Sequence, residues 1–175
     1  MSDLIIRHGK TEDARLLAEL GAHTFSETFA ADNTCEDMAA YLASAFSQAQ
    51  QAKELADAHS LFQIAETNGV ALGYAMLRAG DAPPRGVSGN KPIELVRLYV
   101  TRASLGSGVG AALMQACISE ASRLGCKTLW LGVWEHNLRA QAFYRKWNFH
   151  EVGRHVFQLG GDMQTDILMQ RSISE

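Results

Sequence analysis

The chain is 175 residues long, 47% apolar and 20% charged, with a net charge of −3. That length suits one domain with a substantial core and is short for two, and the composition is that of a globular rather than a disordered chain. The slight negative balance and the lack of a Lys/Arg run argue against a nucleic-acid partner, and no apolar run reaches the ~20 residues of a membrane span.

Cys35, Cys117 and Cys126 are odd in number and lack the short spacings of a zinc site. They are expected to be free thiols, with no metal and a cytoplasmic, reducing location. The N-terminus MSDLIIRHGK has no secretory h-region.

Leu4 to Arg7 is predicted as a short strand. Thr11-Glu12-Asp13 then reads as a helix start, with Thr11 as cap and the acids at the positive end, leading into Ala14, Leu17, Ala18 and Leu20. Between Gly21 and Asn33 the pattern loosens, with Phe25 and Phe29 four apart. A second helical run passes through Met38, Tyr41, Leu42, Ala45 and Phe46, and the Gln/Ala-rich stretch from Gln48 to Asp57 reads as a third. Leu61 to Thr67 and Val70 to Leu77 flank Asn68-Gly69, the strongest short-range hairpin signal, because both central residues of a type I′ turn need positive φ. Gly80 to Pro92 is a surface loop within the same domain.

The next stretch carries the chemistry. Ile93 to Val100 is a nearly continuous apolar strand, interrupted by Glu94 and Arg97. A glycine turn follows, Leu105-Gly106-Ser107-Gly108-Val109-Gly110, and opens a helix with apolar positions from Val109 to Leu124 that stops at Gly125. Thr128 to Val133 is another apolar strand, and Asn137 caps a short helix bearing Ala140, Phe143, Tyr144 and Trp147. Two last strands, Val152 to Leu159 and Thr165 to Arg171, flank Gly160-Gly161-Asp162. The central strand–helix–strand unit implies parallel pairing and the hairpins add antiparallel edges. The fold class is therefore α/β (α+β), a mixed sheet with helices on both faces, as one domain over residues 1–175.

This order places backbone N–H groups, a helix N-terminus and a phenol around one cleft. Gly106, Gly108 and Gly110 let the backbone approach a ligand, and the first amides of the helix favour an anion. No Gly-Lys-Ser/Thr follows, so the turn is not a Walker loop. The alternative is a flexible turn with a helix cap. Tyr144 stands seven residues after Asn137, about two helical turns on and on roughly the same side. It is either a core aromatic beside Phe143 or a weak acid able to protonate a leaving thiolate. Glu94 is unexpected in so apolar a strand, and strict alternation puts it on the face of Val96, Leu98 and Val100. It is either a proton acceptor for an ammonium substrate, directly or through water, or a solvated carboxylate or partner of Arg97 or Arg78. A pyrophosphate and a reacting thioester can share such a cleft, which reads as an acyl-CoA site.

With these residues the chain resembles the GNAT superfamily of acetyl-CoA-dependent N-acetyltransferases along essentially its full length. The resemblance is carried by Leu98-Tyr99-Val100, the Gly106/Gly108/Gly110 turn, and Asn137, Ala140, Phe143 and Tyr144 before Trp147-Asn148-Phe149. It implies a mostly antiparallel seven-stranded sheet whose central parallel pair, the fourth and fifth strands, splays apart. It also implies acetyl-CoA as cosubstrate, held by Leu98, Tyr99, Val100, Leu105, Gly106, Ser107, Gly108, Val109, Gly110, Asn137, Tyr144 and Lys146. Direct transfer is implied too, with Glu94 or an ordered water taking a proton from the amine and Tyr144 protonating the sulfur.

Three stretches are similar to the PaiA-type spermidine/spermine acetyltransferases: Phe25 to Phe29, Gly132 to Asn137, and Phe157 to Asp166. They imply acetylation of a small-molecule amine, a polyamine such as spermidine or spermine or a similar primary amine. The alternatives are an aminoglycoside, amino acid or other small amine, a protein N-terminus or lysine, and a non-catalytic acetyl-CoA-binding role. Leu105 departs from the family's usual Arg or Gln, and Lys146 or Arg102 is expected to compensate. Exposed strand edges leave a homodimer open.

Overall fold

The computed structural model describes residues 3–173. Seven strands form one sheet, β1 (Ile5–His8), β2 (Ser60–Thr67), β3 (Val70–Ala79), β4 (Pro92–Val100), β5 (Thr128–Trp134), β6 (His150–Leu159) and β7 (Asp162–Ser172), in the order β1-β2-β3-β4-β5-β7-β6. Every neighbouring pair is antiparallel except β4–β5. Helices α1 (Ala14–Phe29), α2 (Cys35–Ala45) and α3 (Gln48–Ala56) cover one face; α4 (Val109–Arg123) and α5 (Leu138–Lys146) cover the other. Among the described residues no helix is long and apolar enough to cross a membrane.

Local chemistry explains most boundaries. Asn68 and Gly69 take φ of 52° and 76°, and Thr67 pairs with Val70, so the β2–β3 hairpin closes on the expected two-residue turn. The Thr34 and Ser47 hydroxyls accept hydrogen bonds from Asp37 N and Gln50 N and cap α2 and α3. At the first helix the expected cap is displaced. Thr11–Asp13 forms a 3-10 turn, and the Asp13 carboxylate accepts from Lys10 N at 2.8 Å while pairing with Arg7.

The helix also does not loosen at Gly21. It continues to Phe29, because the glycine sits where a Cβ would lie 2.5 Å from Phe46 Cδ1 and 2.8 Å from the Tyr74 hydroxyl. Glycine there admits neighbours rather than ending the helix.

Two irregularities in β4 create the functional cleft. Met76 pairs with Arg97 but Leu77 with Leu95, so Val96 is an extra residue, a β-bulge. The bulge reverses the alternation. Ile93, Leu95, Leu98 and Val100 pack with α4, while Val96 and Tyr99 pack with Leu17 and Leu20 of α1. Glu94 therefore shares a face with Val96 but not with Leu98 and Val100, which corrects the strict alternation expected from sequence. The second irregularity is divergence: β4 and β5 pair only through Pro92–Thr128, Ile93–Leu129 and Glu94–Trp130. Beyond those pairs the strands separate.

Candidate active site

The gap between the diverging strands opens into a cavity of about 500 Å³, within the size range of small-molecule sites. Glu94, Leu98, Tyr99, Val100, Leu105, Gly106, Gly110, Asn137 and Tyr144 all line it. Ser107, Gly108, Val109 and Lys146 are not part of its wall. Val109 is a core residue at 3% exposure, the Ser107 hydroxyl donates to Ser104 O, and Lys146 lies in the last turn of α5.

The glycine turn is built to face a ligand. Gly108 is the N-cap of α4 at φ 94°, a conformation that side chains resist, and a Cβ at Gly106 or Gly108 would meet nothing within 4 Å. The first main-chain bond into α4 is Ala112 N to Gly108 O, so the amides of Val109, Gly110 and Ala111 precede the helical ladder. An open glycine ledge, leading amides of a fifteen-residue helix and an unpaired strand margin fit the pyrophosphate and amide-bearing arm of CoA. Arg102 lines the cavity, with its guanidinium donating to Glu27 O at 2.9 Å and its amide to Glu27 Oε2 at 2.9 Å. Arg139, in the first turn of α5, lines it as well and was not singled out from sequence.

Tyr144 is positioned by α5. Gln141 ties that helix to the end of β5 through bonds to Glu135 O and Trp134 O, and the Asn137 side chain accepts from Ala140 N at 3.1 Å. The capping role of Asn137 is thus realised alongside its place in the cavity wall. Asn148 at φ 65° closes the helix, and Phe149 N bonds Tyr144 O. The ring packs against Phe143 and Phe149, with centroids 5.5 and 5.7 Å away. Burial raises the phenol well above its ordinary value, and the nearby Cys117 adds to the effect, so Tyr144 keeps its proton. Cys117 is itself pushed up to about 12 by burial and stands outside the cavity wall, an environment for an inert thiol rather than a nucleophile.

Glu94 lies opposite Arg78 in the β3–β4 ladder. Burial raises its carboxyl above the usual range, Arg78 draws it partly back, and Asp81 pushes it further up. Arg97, the other charge in this strand, pairs with Glu54 of α3 rather than with Glu94, through contacts of 2.6 and 3.1 Å.

At the end of the cavity between α1, α2 and the β6–β7 hairpin lie Phe29, Tyr41, Trp134, Phe157, His155, Gln164 and Asp166. Sequence alone gives none of them an individual role, although Phe29, Trp134, Phe157, Gln164 and Asp166 fall within the PaiA-like stretches, and Phe29 within the Phe25–Asn33 segment expected at the amine's entrance. One signal was available. Gly160-Gly161 closes a two-residue turn with Leu159 opposite Asp162, which fixes the register that sets His155 against Asp166.

The profile of the acetyltransferase (GNAT) family matches residues 23–149. An uncharacterised N-acetyltransferase of Lactobacillus delbrueckii subsp. lactis is 33% identical over 88% of each chain. One of Mycobacterium tuberculosis is 34% identical over 92% of this chain and 98% of its own. Among solved structures, a PaiA N-acetyltransferase from Thermoplasma acidophilum in complex with coenzyme A superposes with a TM-score of 0.76, covering 97% of this chain and 99% of that one at 21% identity. The chain belongs to the GNAT family and is an acetyl-CoA-dependent N-acetyltransferase.

Proposed function

We propose that the enzyme transfers the acetyl group by direct attack to a small cationic primary amine, a polyamine such as spermidine or spermine or a similar compound. The observation that carries this reading is the acceptor end of the cavity, where the half-buried carboxylates Glu94 and Asp166 stand among aromatic rings. Such walls suit an alkylammonium ion, whose charge meets carboxylate and ring faces while its methylenes stay out of water. The PaiA-like stretches support the same class.

In this scheme Leu98, Tyr99 and Val100 on β4, the Leu105–Gly110 turn and Asn137 hold the cosubstrate. Glu94, directly or through water, takes a proton from the ammonium, and the freed amine forms the new C–N bond. As the C–S bond breaks, Tyr144 passes its proton to the sulfur. Holding amine and thioester together can supply roughly 7–11 kcal/mol of the barrier. The three free thiols, Cys35 exposed and Cys117 and Cys126 buried, suit a reducing compartment such as the cytoplasm. We take the chain to act as one domain.

The test is CoA-thiol release from acetyl-CoA against spermine, spermidine, putrescine, an aminoglycoside, amino acids and a lysine peptide. Turnover fastest with the polyamines is expected. A rate concentrated on the peptide would overturn the small-amine reading.

A further inference from the structure

The acceptor end of the cavity holds more polar capacity than a single reacting nitrogen uses. We propose that Asp166 and the side-chain carbonyl of Gln164 form a subsite for a second cationic nitrogen, so that the acceptor is a diamine or polyamine gripped at both ends. This deepens, and rests on, the amine-transfer reading above.

Asp166 lies on β7 in register with Trp134 of β5 and His155 of β6, so an indole and an imidazole flank it across the sheet. Its side chain is 14% exposed, and His155 Nε2 stands 3.6 Å from Oδ2, longer than a hydrogen bond. The imidazole therefore does not saturate the carboxylate. Burial pushes the Asp166 carboxyl up, and the nearby His155 draws it only partly back.

Gln164 lies two residues away on the same strand, hence on the same face. Its Nε2 donates to Asn33 Oδ1 at 2.7 Å and to Asp162 Oδ2 at 3.0 Å, which uses both amide hydrogens and fixes the group's orientation. Oε1 is left buried without a partner. A buried carbonyl held in that state is costly unless a donor arrives, and a ligand ammonium is such a donor.

The walls fit the same ligand. Phe157 faces Gln164 across the β6–β7 ladder and packs edge-on to Tyr41, with centroids 5.6 Å apart. Gly132 of β5 sets the spacing. A Cβ there would lie 3.1 Å from Asp166 Oδ2 and 3.2 Å from His155 Nε2, so the bare backbone lets that pair lean over β5 toward Glu94. Gly132 lies two residues beyond Trp130, the last β5 partner of β4, so it stands at least about 8 Å from Glu94 where the strands diverge. That span suits nitrogens divided by a few methylenes. His155 also acts electrostatically on Glu94, which places the imidazole near both carboxylates.

The test is calorimetric binding of putrescine and of butylamine, which share a four-carbon chain and differ in the second nitrogen, to the CoA-loaded protein. The wild type is expected to bind putrescine at least about tenfold more tightly, since hydrogen bonds to charged groups are worth that much. Asp166→Asn should bring the two affinities together, and Gln164→Leu should narrow the gap in part. CoA binding and Tm report whether each variant is folded. Equal wild-type affinities, or a gap that survives in both variants, would overturn the subsite. A wild-type gap that closes in Asp166→Asn, with no thiol release from either amine, would support the cation site and count instead against the transfer reading.

Discussion

Replacing Tyr144 by Phe tests the proposed chemistry with little disturbance to the fold. The ring is 9% exposed and packs between Phe143 and Phe149, contacts that phenylalanine keeps. Only the hydroxyl is lost, so stability should stay within about 1 kcal/mol of wild type, whereas truncation to Ala would cost about 3–5 kcal/mol and confuse the result. Loss of a general acid lowers turnover by about 10²–10⁴-fold, equivalent to roughly 3–5 kcal/mol in the barrier. The expected signature is therefore a large fall in kcat, an almost unchanged KM for acetyl-CoA and an unchanged Tm. The assay is thiol release at saturating acetyl-CoA and amine, beside a thermal melt. Because burial holds the phenol above its ordinary value near 10, this group should impose no alkaline limb on the wild-type profile below about pH 10. A variant with wild-type kcat would remove Tyr144 from the proton transfer and leave it as packing.

Glu94→Gln should lower kcat/KM by about 10²-fold, and it should abolish an acid limb that in the wild type lies above the ordinary carboxylate range, since burial raises this group and it must be ionised to accept a proton. A limb that persists in the variant would assign the base elsewhere. Gly108→Val places a β-branched residue at φ 94°, costing roughly 1–2 kcal/mol of stability, and projects it into the open ledge. CoA affinity measured by calorimetry should fall by at least about tenfold, given the lost amide contacts to a charged group, and undiminished binding would refute the assignment of the turn. Glu54→Gln breaks an ion pair whose side chains are 7% and 9% exposed, leaving Arg97 charged beside Phe46. Urea unfolding should show a loss of about 3–5 kcal/mol, and a loss under about 1 kcal/mol would mean that solvent reaches Arg97 freely.

How far the sequence could be read follows from the range of each interaction. The Asn68-Gly69 hairpin was legible because one dihedral requirement at two adjacent residues decides it. The Gly106–Gly110 turn and the α5 cap at Asn137 were legible for the same local reason. The persistence of α1 through Gly21 was not, since the glycine answers to Phe46 and Tyr74, 25 and 53 positions along the chain. Nor was the bulge at Val96. An extra residue in a strand alters no composition signal, yet it moved Glu94 to the face opposite Leu98 and Val100. The His155–Asp166 pair lay hidden because strand alternation alone does not say which face of β6 or β7 meets the cleft. That depends on α1 and α2 closing over them.

The divergence of β4 from β5 has a further consequence. A strand margin with unpaired amides and carbonyls is normally an aggregation hazard, which proteins blunt with charges, prolines or short outer strands. Here such a margin lies in the middle of the sheet, with the helices α1 and α5 contributing Phe25, Phe29 and Tyr144 to the walls above and below it. A strand docking there would have to fit side chains on both its faces between those walls, whereas a slender, flexible, amide-bearing molecule would not. Shape alone thus turns a liability into a filter, admitting partners by cross-section before any side chain takes part in recognition.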